Sequence, residues 1–161
     1  MIESKLFRRV SKRSNKWGES NDCTVKALAI ATGKTYEVAH GALALRGRSF
    51  RKGIHMLHVF KALEDLGFDR EKVFDRWSLD HGPDFAESST FHEQAKRYRR
   101  SRWANVKTVR TLPEHLPKRG VFLVQTRGHV FCARAGEIHD WTGGRKHRIT
   151  KIHRIIRRSD N

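Results

Sequence analysis

The chain is poor in cysteine and contains no long apolar run. Two cysteines, Cys23 and Cys132, among 161 residues do not make a disulfide framework, so we expect a reducing compartment. No run of about 18 apolar residues occurs, so no transmembrane helix is expected. The basic N-terminal segment is followed by no apolar stretch, which argues against a secretory signal. The length suits one domain with a real hydrophobic core.

Acidic residues are also scarce. The 17 Asp and Glu residues stand against 34 Lys and Arg residues, which gives a formal net charge of +17. A field of that size attracts polyanions and suggests nucleic acid or another anionic surface as a partner. The same charge would also serve solubility alone, so composition leaves the partner open.

Several motifs are missing, and their absence removes whole classes of enzyme. No phosphate-binding loop and no serine nucleophile elbow occur, so kinase, NTPase and α/β-hydrolase functions have no support. No CxxC or HExxH spacing for zinc is present either. His55 and His58 lie three residues apart and are better explained as an exposed helix face than as metal ligands. We therefore predict no metal and no cofactor.

The first half of the chain has helical signals. We interpret residues 1–18 as a basic N-terminal arm, poorly ordered at its start, and residues 19–161 as a single domain. Asp22 is a good N-cap and Gly33 a good C-terminal stop, and the apolar spacing between them predicts a helix over 23–32.

Two further helices are predicted after it. Thr35 can cap one that runs to about residue 46, with Val38, Ala42 and Leu45 turned inward. The next is predicted from the stretch IHMLHVFKALEDLG, which ends at Gly67.

The second half has strand patterns, although residues 68–104 are hard to interpret. NVKTVRT alternates, GVFLVQT is typical of a buried strand, GHVFCARAGEIHDW predicts two strands around a tight turn, and HRITKIHRIIRR predicts a last strand. Helices followed by antiparallel strands indicate an α+β fold, with N-terminal helices packed on a C-terminal antiparallel β-sheet.

The predicted hairpin places two chemically active residues together. If Ala135 and Gly136 form a two-residue turn, Arg134 faces Glu137 across the ladder. His129 and Asp140 then become diagonal neighbours on one face, within side-chain reach. Cys132, His139 and Trp141 are predicted on the opposite face.

A histidine and an aspartate so placed form an orienting pair, in which the carboxylate fixes the tautomer and supports the imidazolium. Cys23 opens the first core helix, where the helix N-terminus and an imidazolium would both lower the pKa of its thiol. Backbone N–H groups of that first turn can face an oxyanion. A single cysteine in such a helix is also often just a small buried hydrophobe.

The order Cys23, His129, Asp140 resembles papain-like cysteine peptidases. NDCTVKALAIATG looks like the nucleophile helix of small bacterial and phage-encoded members, including bacteriocin-processing types, and GVFLVQTRGHVFCARAGEIHDW looks like their strand pair. The resemblance implies a papain-like fold with Cys23 as nucleophile, His129 as general base and Asp140 as its orienting residue. It implies a peptide or protein substrate, cleaved by a peptidase or isopeptidase in the cytoplasm of a bacterial or phage-infected cell.

One position departs from that pattern. Papain-like enzymes often carry a glutamine about six residues before the cysteine, where it donates a hydrogen bond to the oxyanion. Trp17 occupies that position here. Asn21 is the predicted substitute, and Asn15 is a second candidate.

Nucleic-acid binding on an inactive scaffold is the alternative function. Residues 25–45 have the rhythm of a helix-turn-helix unit, although the second helix carries no clear base-reading surface. A basic stretch with interleaved aromatic residues could contact a nucleic-acid backbone and stack on bases. Its residues are Lys96, Arg97, Tyr98, Arg99, Arg100 and Trp103.

Overall fold

The computed structural model describes residues 3–77 and 101–159. In this part of the chain four helices precede a five-stranded antiparallel sheet, so the predicted α+β class is confirmed. The helices are α1 (Lys5–Lys16), α2 (Cys23–Thr32), α3 (Tyr36–Leu45) and α4 (Met56–Asp65). The strands are β1 (Phe68–Asp75), β2 (Val121–Thr126), β3 (His129–Arg134), β4 (Glu137–His139) and β5 (Ile149–Arg157), with a short 3₁₀ turn at Leu112–Glu114.

The strands lie in the order β1-β5-β2-β3-β4. One face of the sheet packs on the helices through residues such as Leu123, Val130 and Cys132. On the other face, Phe74 and other strand residues pack against residues from 103–116, which cover the sheet. Thr126 pairs with His129 where β2 turns into β3, so His129 stands at one end of the sheet.

Helix α2 is the centre of the helical layer. Eight of its ten residues are buried, because its sequence is apolar around nearly its whole circumference. It ends at Gly33, whose φ of 70° is the left-handed conformation that glycine adopts without strain. The Arg134 guanidinium donates to the Ile30 carbonyl at 2.9 Å and ties this end of the helix to β3.

The predicted basic N-terminal arm needs correction over residues 5–16, which form a helix that packs on the domain. Helix α1 begins after Ser4, whose hydroxyl caps it by accepting from the Phe7 N–H at 3.2 Å. Phe7, Val10 and Ser14 are buried, while the lysines and arginines face outward. Phe7 and Val10 form one apolar stripe among many basic residues, and this stripe is sufficient to pack the helix on the core.

The inward face of α3 also differs from the prediction. Val38 is 45 % and Leu45 87 % exposed, whereas Tyr36 and Leu43 are buried. Ala42 is buried as predicted. Tyr36 faces inward, where its hydroxyl donates a buried hydrogen bond to Asp22. A count of aliphatic residues does not reveal this contact.

The sequence did not predict β1, and NVKTVRT does not form a strand. That segment makes one isolated bridge, between Thr108 and Arg148. Its Val106 and Val109 pack instead on the second face of the sheet, so their alternation reflects a covering loop. Among the described residues, none of the helices has the length and apolarity needed to span a bilayer.

Candidate active site

The predicted hairpin register is confirmed, because Arg134 pairs with Glu137 and Cys132 with His139. Ala135 has a φ of 53° and Gly136 a φ of 77°, as a tight hairpin turn requires. The ladder brings the ends of the two strands together. His129 Nε2 lies 2.7 Å from Asp140 Oδ2, so the ring donates a hydrogen bond to the carboxylate.

Trp141 was predicted on the opposite face, and this is wrong. Its ring lies beside that of His129, with the two centroids 5.5 Å apart. Strand β4 ends at His139, so the alternation of faces no longer holds for the residues that follow. Trp141 is 45 % exposed and forms a wall next to the His129 ring.

Cys23 is the first residue of α2, and its thiol lines the same cleft as the His129 ring, close enough for His129 to shift the pKa of the thiol. Because Asp140 engages Nε2, the nitrogen that faces the sulfur is Nδ1. The backbone N–H of Val130, the second residue of β3, also lowers the pKa of the Cys23 thiol. The start of the helix, the start of β3 and the end of the hairpin therefore meet at one sulfur atom.

These contacts decide the charge state of the pair. Burial raises the pKa of the Cys23 thiol, but the hydrogen bonds from His129 and Val130 and the charge of His129 outweigh it, and the pKa falls below its ordinary value. Burial lowers the pKa of His129, yet the hydrogen bonds to Asp140 and Cys23 raise it to about 9. Each residue therefore favours the charged form of the other, which is the thiolate–imidazolium pair.

Thr142 holds Asp140, and the sequence prediction missed it. The Thr142 hydroxyl donates to Asp140 Oδ2 at 2.5 Å, and its backbone N–H approaches the same atom at 3.3 Å. Thr142 is 1 % exposed. A threonine two residues after an aspartate is a common local hydrogen-bonding motif, so this contact was readable from the sequence.

The three residues line a cleft of about 370 Å³ between the helical layer and the end of the sheet. Helix α1 contributes Phe7, the first turn of α2 contributes Lys26, and the loops contribute Gly53, Gly128 and Trp141. Cys132 lies elsewhere, buried between α2 and the sheet, where burial raises the pKa of its thiol to about 12. The two cysteines therefore differ in both access and ionisation.

Asp22 is the N-cap residue of α2, but its side chain makes no capping hydrogen bond. One carboxylate oxygen accepts instead from the Tyr36 hydroxyl at 2.7 Å, and the other lies 3.7 Å from Lys26 Nζ. The first N–H groups of a helix have no partner within the helix. Because Asp22 turns away, its carboxylate does not cover these donors beside the Cys23 sulfur.

Asn21 lines the same cleft, in the left-handed region at a φ of 50°. One of its amide N–H groups donates to the Arg51 carbonyl at 3.0 Å, which leaves one amide hydrogen beyond that contact. Asn15 is exposed on α1 and does not line the cleft. Trp17 packs on the ring of His40 at 4.7 Å between centroids, so it does not act as the missing glutamine.

The buried Glu19 carboxylate, four residues before Cys23, holds together the segments next to the site. The Glu19 side chain accepts from Arg48 Nη1 at 2.8 Å, from the Arg51 backbone N–H at 2.8 Å and from the Ser20 N–H at 3.2 Å, and it contacts His40 Nε2 at 2.6 Å. Burial raises the pKa of Glu19, but these donors lower it to about 2. Glu19 thereby fixes the 48–51 loop against the segment that leads into α2.

The predicted nucleic-acid stretch is only partly described. Lys96, Arg97, Tyr98, Arg99 and Arg100 lie outside the described residues. Trp103 is 5 % exposed and packs edge-on against Phe122 at 5.1 Å, so it is a core residue and not a stacking platform for bases.

The helix-turn-helix candidate, residues 25–45, presents little to a DNA groove. Helix α2 is almost wholly buried, and Tyr36, Glu37 and His40 of α3 face partners within the protein. The exposed side chains of α3 include the apolar Val38 and Leu45. The described part of the helix therefore lacks the basic and amide side chains that read bases.

Within residues 3–77 and 101–159, no three His, Cys, Asp or Glu side chains are grouped so as to hold a metal ion. Comparison with models of known protein families, with curated protein sequences and with solved structures finds no match for the chain.

Proposed function

We propose that the protein is a thiol-dependent acyl hydrolase, a cysteine peptidase or isopeptidase, with Cys23, His129 and Asp140 as its triad. The observation that carries the proposal is that Cys23, His129 and Asp140 line one cleft, where the His129 ring donates to Asp140 at 2.7 Å and lowers the pKa of the Cys23 thiol. A papain-like architecture belongs to the same proposal, since the nucleophile opens a buried helix that packs on an antiparallel sheet.

In this mechanism the Cys23 thiolate attacks the carbonyl carbon of an amide and forms a tetrahedral oxyanion. The first-turn N–H groups of α2 and the second amide hydrogen of Asn21 stabilise that oxyanion. The His129 imidazolium gives its proton to the leaving amine as the carbon–nitrogen bond breaks, which leaves a thioester. Neutral His129 then takes a proton from water, which attacks the thioester and releases the acid and Cys23.

Asp140 and Thr142 are positioning residues in this scheme. Asp140 fixes the His129 ring so that Nδ1 faces sulfur, and Thr142 fixes Asp140. The carboxylate stabilises the imidazolium that is present before acylation and forms again when His129 takes the proton from water, so the raised pKa of His129 suits the reaction.

A peptide library in oxygen-18-labelled water tests the proposal. Wild-type protein, Cys23→Ala and Cys132→Ala are each incubated with the library, and new termini are identified by mass spectrometry. We expect labelled carboxylates from the wild type and from Cys132→Ala and none from Cys23→Ala. Products that persist in Cys23→Ala, or no products from a protein whose Cys23 is alkylated rapidly, would reject hydrolysis of peptides.

A further inference from the structure

A second hollow lies next to the cleft, because Trp141 lines both of them. It measures about 510 Å³ and is lined by Arg110, Arg145 and two glycines besides Trp141. An adjoining hollow adds Lys146 and His147. No aspartate or glutamate lines either of them. Trp141 belongs to both the cleft and the hollow, so one ligand can occupy the two continuously.

The arginines of this hollow are held in place by the backbone. The Arg110 N–H donates to the Arg145 carbonyl at 2.8 Å, and the Val109 N–H donates to the His147 carbonyl at 2.9 Å. The Arg145 N–H donates to the Thr142 carbonyl at 2.9 Å, which closes a turn. The turn that carries Arg145 thus begins at the residue that fixes Asp140.

Among residues 3–77 and 101–159, the charges of the hollow have no partner of opposite sign. Arg110, Arg145 and Lys146 are exposed, and no described carboxylate forms an ion pair with any of them. The Arg145 guanidinium stacks over the Trp141 ring at 5.3 Å instead. Two exposed guanidinium groups that line one hollow can each bind a carboxylate through their planar fork of N–H donors.

Resting on the proposed function, we propose that the substrate is an acidic peptide, whose carboxylate side chain binds Arg110 and Arg145 while its scissile amide lies at Cys23. The His129 ring and the Arg145 guanidinium contact the Trp141 ring at 5.5 and 5.3 Å, so they lie within about 11 Å of each other. An extended peptide advances about 3.3 Å per residue, which places the carboxylate about two to four residues from the scissile bond. Nucleic acid offers anionic groups but no acyl carbon for Cys23, so a peptide fits both halves of the site.

Peptides paired as glutamate and glutamine versions test the assignment. One set carries an electrophile that alkylates cysteine, with Glu or Gln at the second, third or fourth residue from it on either side, and the labelling rate of Cys23 is measured. We expect about tenfold faster labelling by the Glu version at one position, and loss of that preference in R110Q/R145Q. The matched control R154Q/R157Q removes the same charge from the half of β5 that lies away from His129, and it should keep the preference for Glu.

A second measurement separates this assignment from the catalytic one. The same peptides without the electrophile are titrated by fluorescence anisotropy into Cys23→Ala, where no reaction is needed. Tighter binding of Glu than of Gln peptides, weakened by salt and by R110Q/R145Q, supports the acidic-peptide site even if no Cys23 is labelled. Equal binding of Glu and Gln peptides overturns it, and binding of a single-stranded oligonucleotide that only R110Q/R145Q weakens would assign the hollow to nucleic acid.

Discussion

The two cysteines provide an internal comparison of thiol reactivity. Cys23 is partly exposed in the cleft, where His129 lowers the pKa of its thiol, whereas Cys132 is 0 % exposed in the core. Only the thiolate attacks an alkylating reagent such as iodoacetamide, so the rate follows the ionised fraction multiplied by access. We predict that limiting reagent labels Cys23 almost exclusively.

The ratio follows from the two pKa values. Burial raises the pKa of Cys132 to about 12, so about one molecule in 10⁵ carries that thiolate at pH 7. The Cys23 pKa lies below its ordinary value of 9.0, so more than about one molecule in a hundred carries its thiolate. The rates should differ by at least about a thousandfold before access is considered.

Peptide mapping of samples quenched at intervals measures both rates in one protein. In concentrated guanidinium chloride the two sites should react equally, which controls for the reagent. His129→Ala should slow labelling of Cys23 at pH 7 about tenfold or more, because the imidazolium charge is lost, and should not affect Cys132. Labelling rates of the two native cysteines within tenfold of each other, or a Cys23 labelling rate that His129→Ala does not change, would refute the thiolate–imidazolium assignment.

Three further predictions address the neighbours of the pair. Asp140→Asn should lower the pKa of His129 from about 9, so the alkaline limb of the pH profile of Cys23 labelling should move to lower pH. An unchanged alkaline limb would contradict the role of Asp140 in orienting His129. Tyr36→Phe should free Asp22 to cap α2, which should change the free energy of unfolding by less than about 1 kcal/mol but lower kcat about tenfold. Full activity of this variant would show that the reaction does not use the uncapped turn. Burial lowers the pKa of His153 to about 4, so only the unfolded state binds a proton at this residue between pH 6.5 and 4. Over that range the free energy of unfolding, measured by chemical denaturation, should fall by about 3 kcal/mol, and His153→Leu should remove this fall. The same pH dependence in both proteins would exclude the linkage.

The sequence predicted those parts of the site that local rules determine. A two-residue turn at Ala135 and Gly136 sets the register of its hairpin, and the register alone brings the backbones of His129 and Asp140 together. The start of α2 at Cys23 followed from a capping residue and an apolar helical stretch. In both cases the interaction extends over only a few residues, so a short window contains the information.

The parts that the sequence did not predict depend on contacts between distant segments. Glu19 resembles an ordinary surface residue until Arg48 and His40, more than twenty positions away, are brought to it. Trp141 faces His129 because β4 is short, and strand length is not determined by alternation. Trp103 was assigned to a basic surface by its neighbours in sequence, but an indole of that size is more stable in the core.

The first turn of α2 connects the stability of the fold to the proposed chemistry. An aspartate at the N-cap normally stabilises a helix by about 1 kcal/mol through its side chain, and Asp22 is well placed to do so. The fold instead commits that carboxylate to Tyr36 and Lys26, which leaves the helix end without its side-chain cap next to a reactive sulfur. A local rule broken at the same turn that carries Cys23 is what a functional site is expected to show, because the uncapped donors are then available to the oxyanion of a substrate.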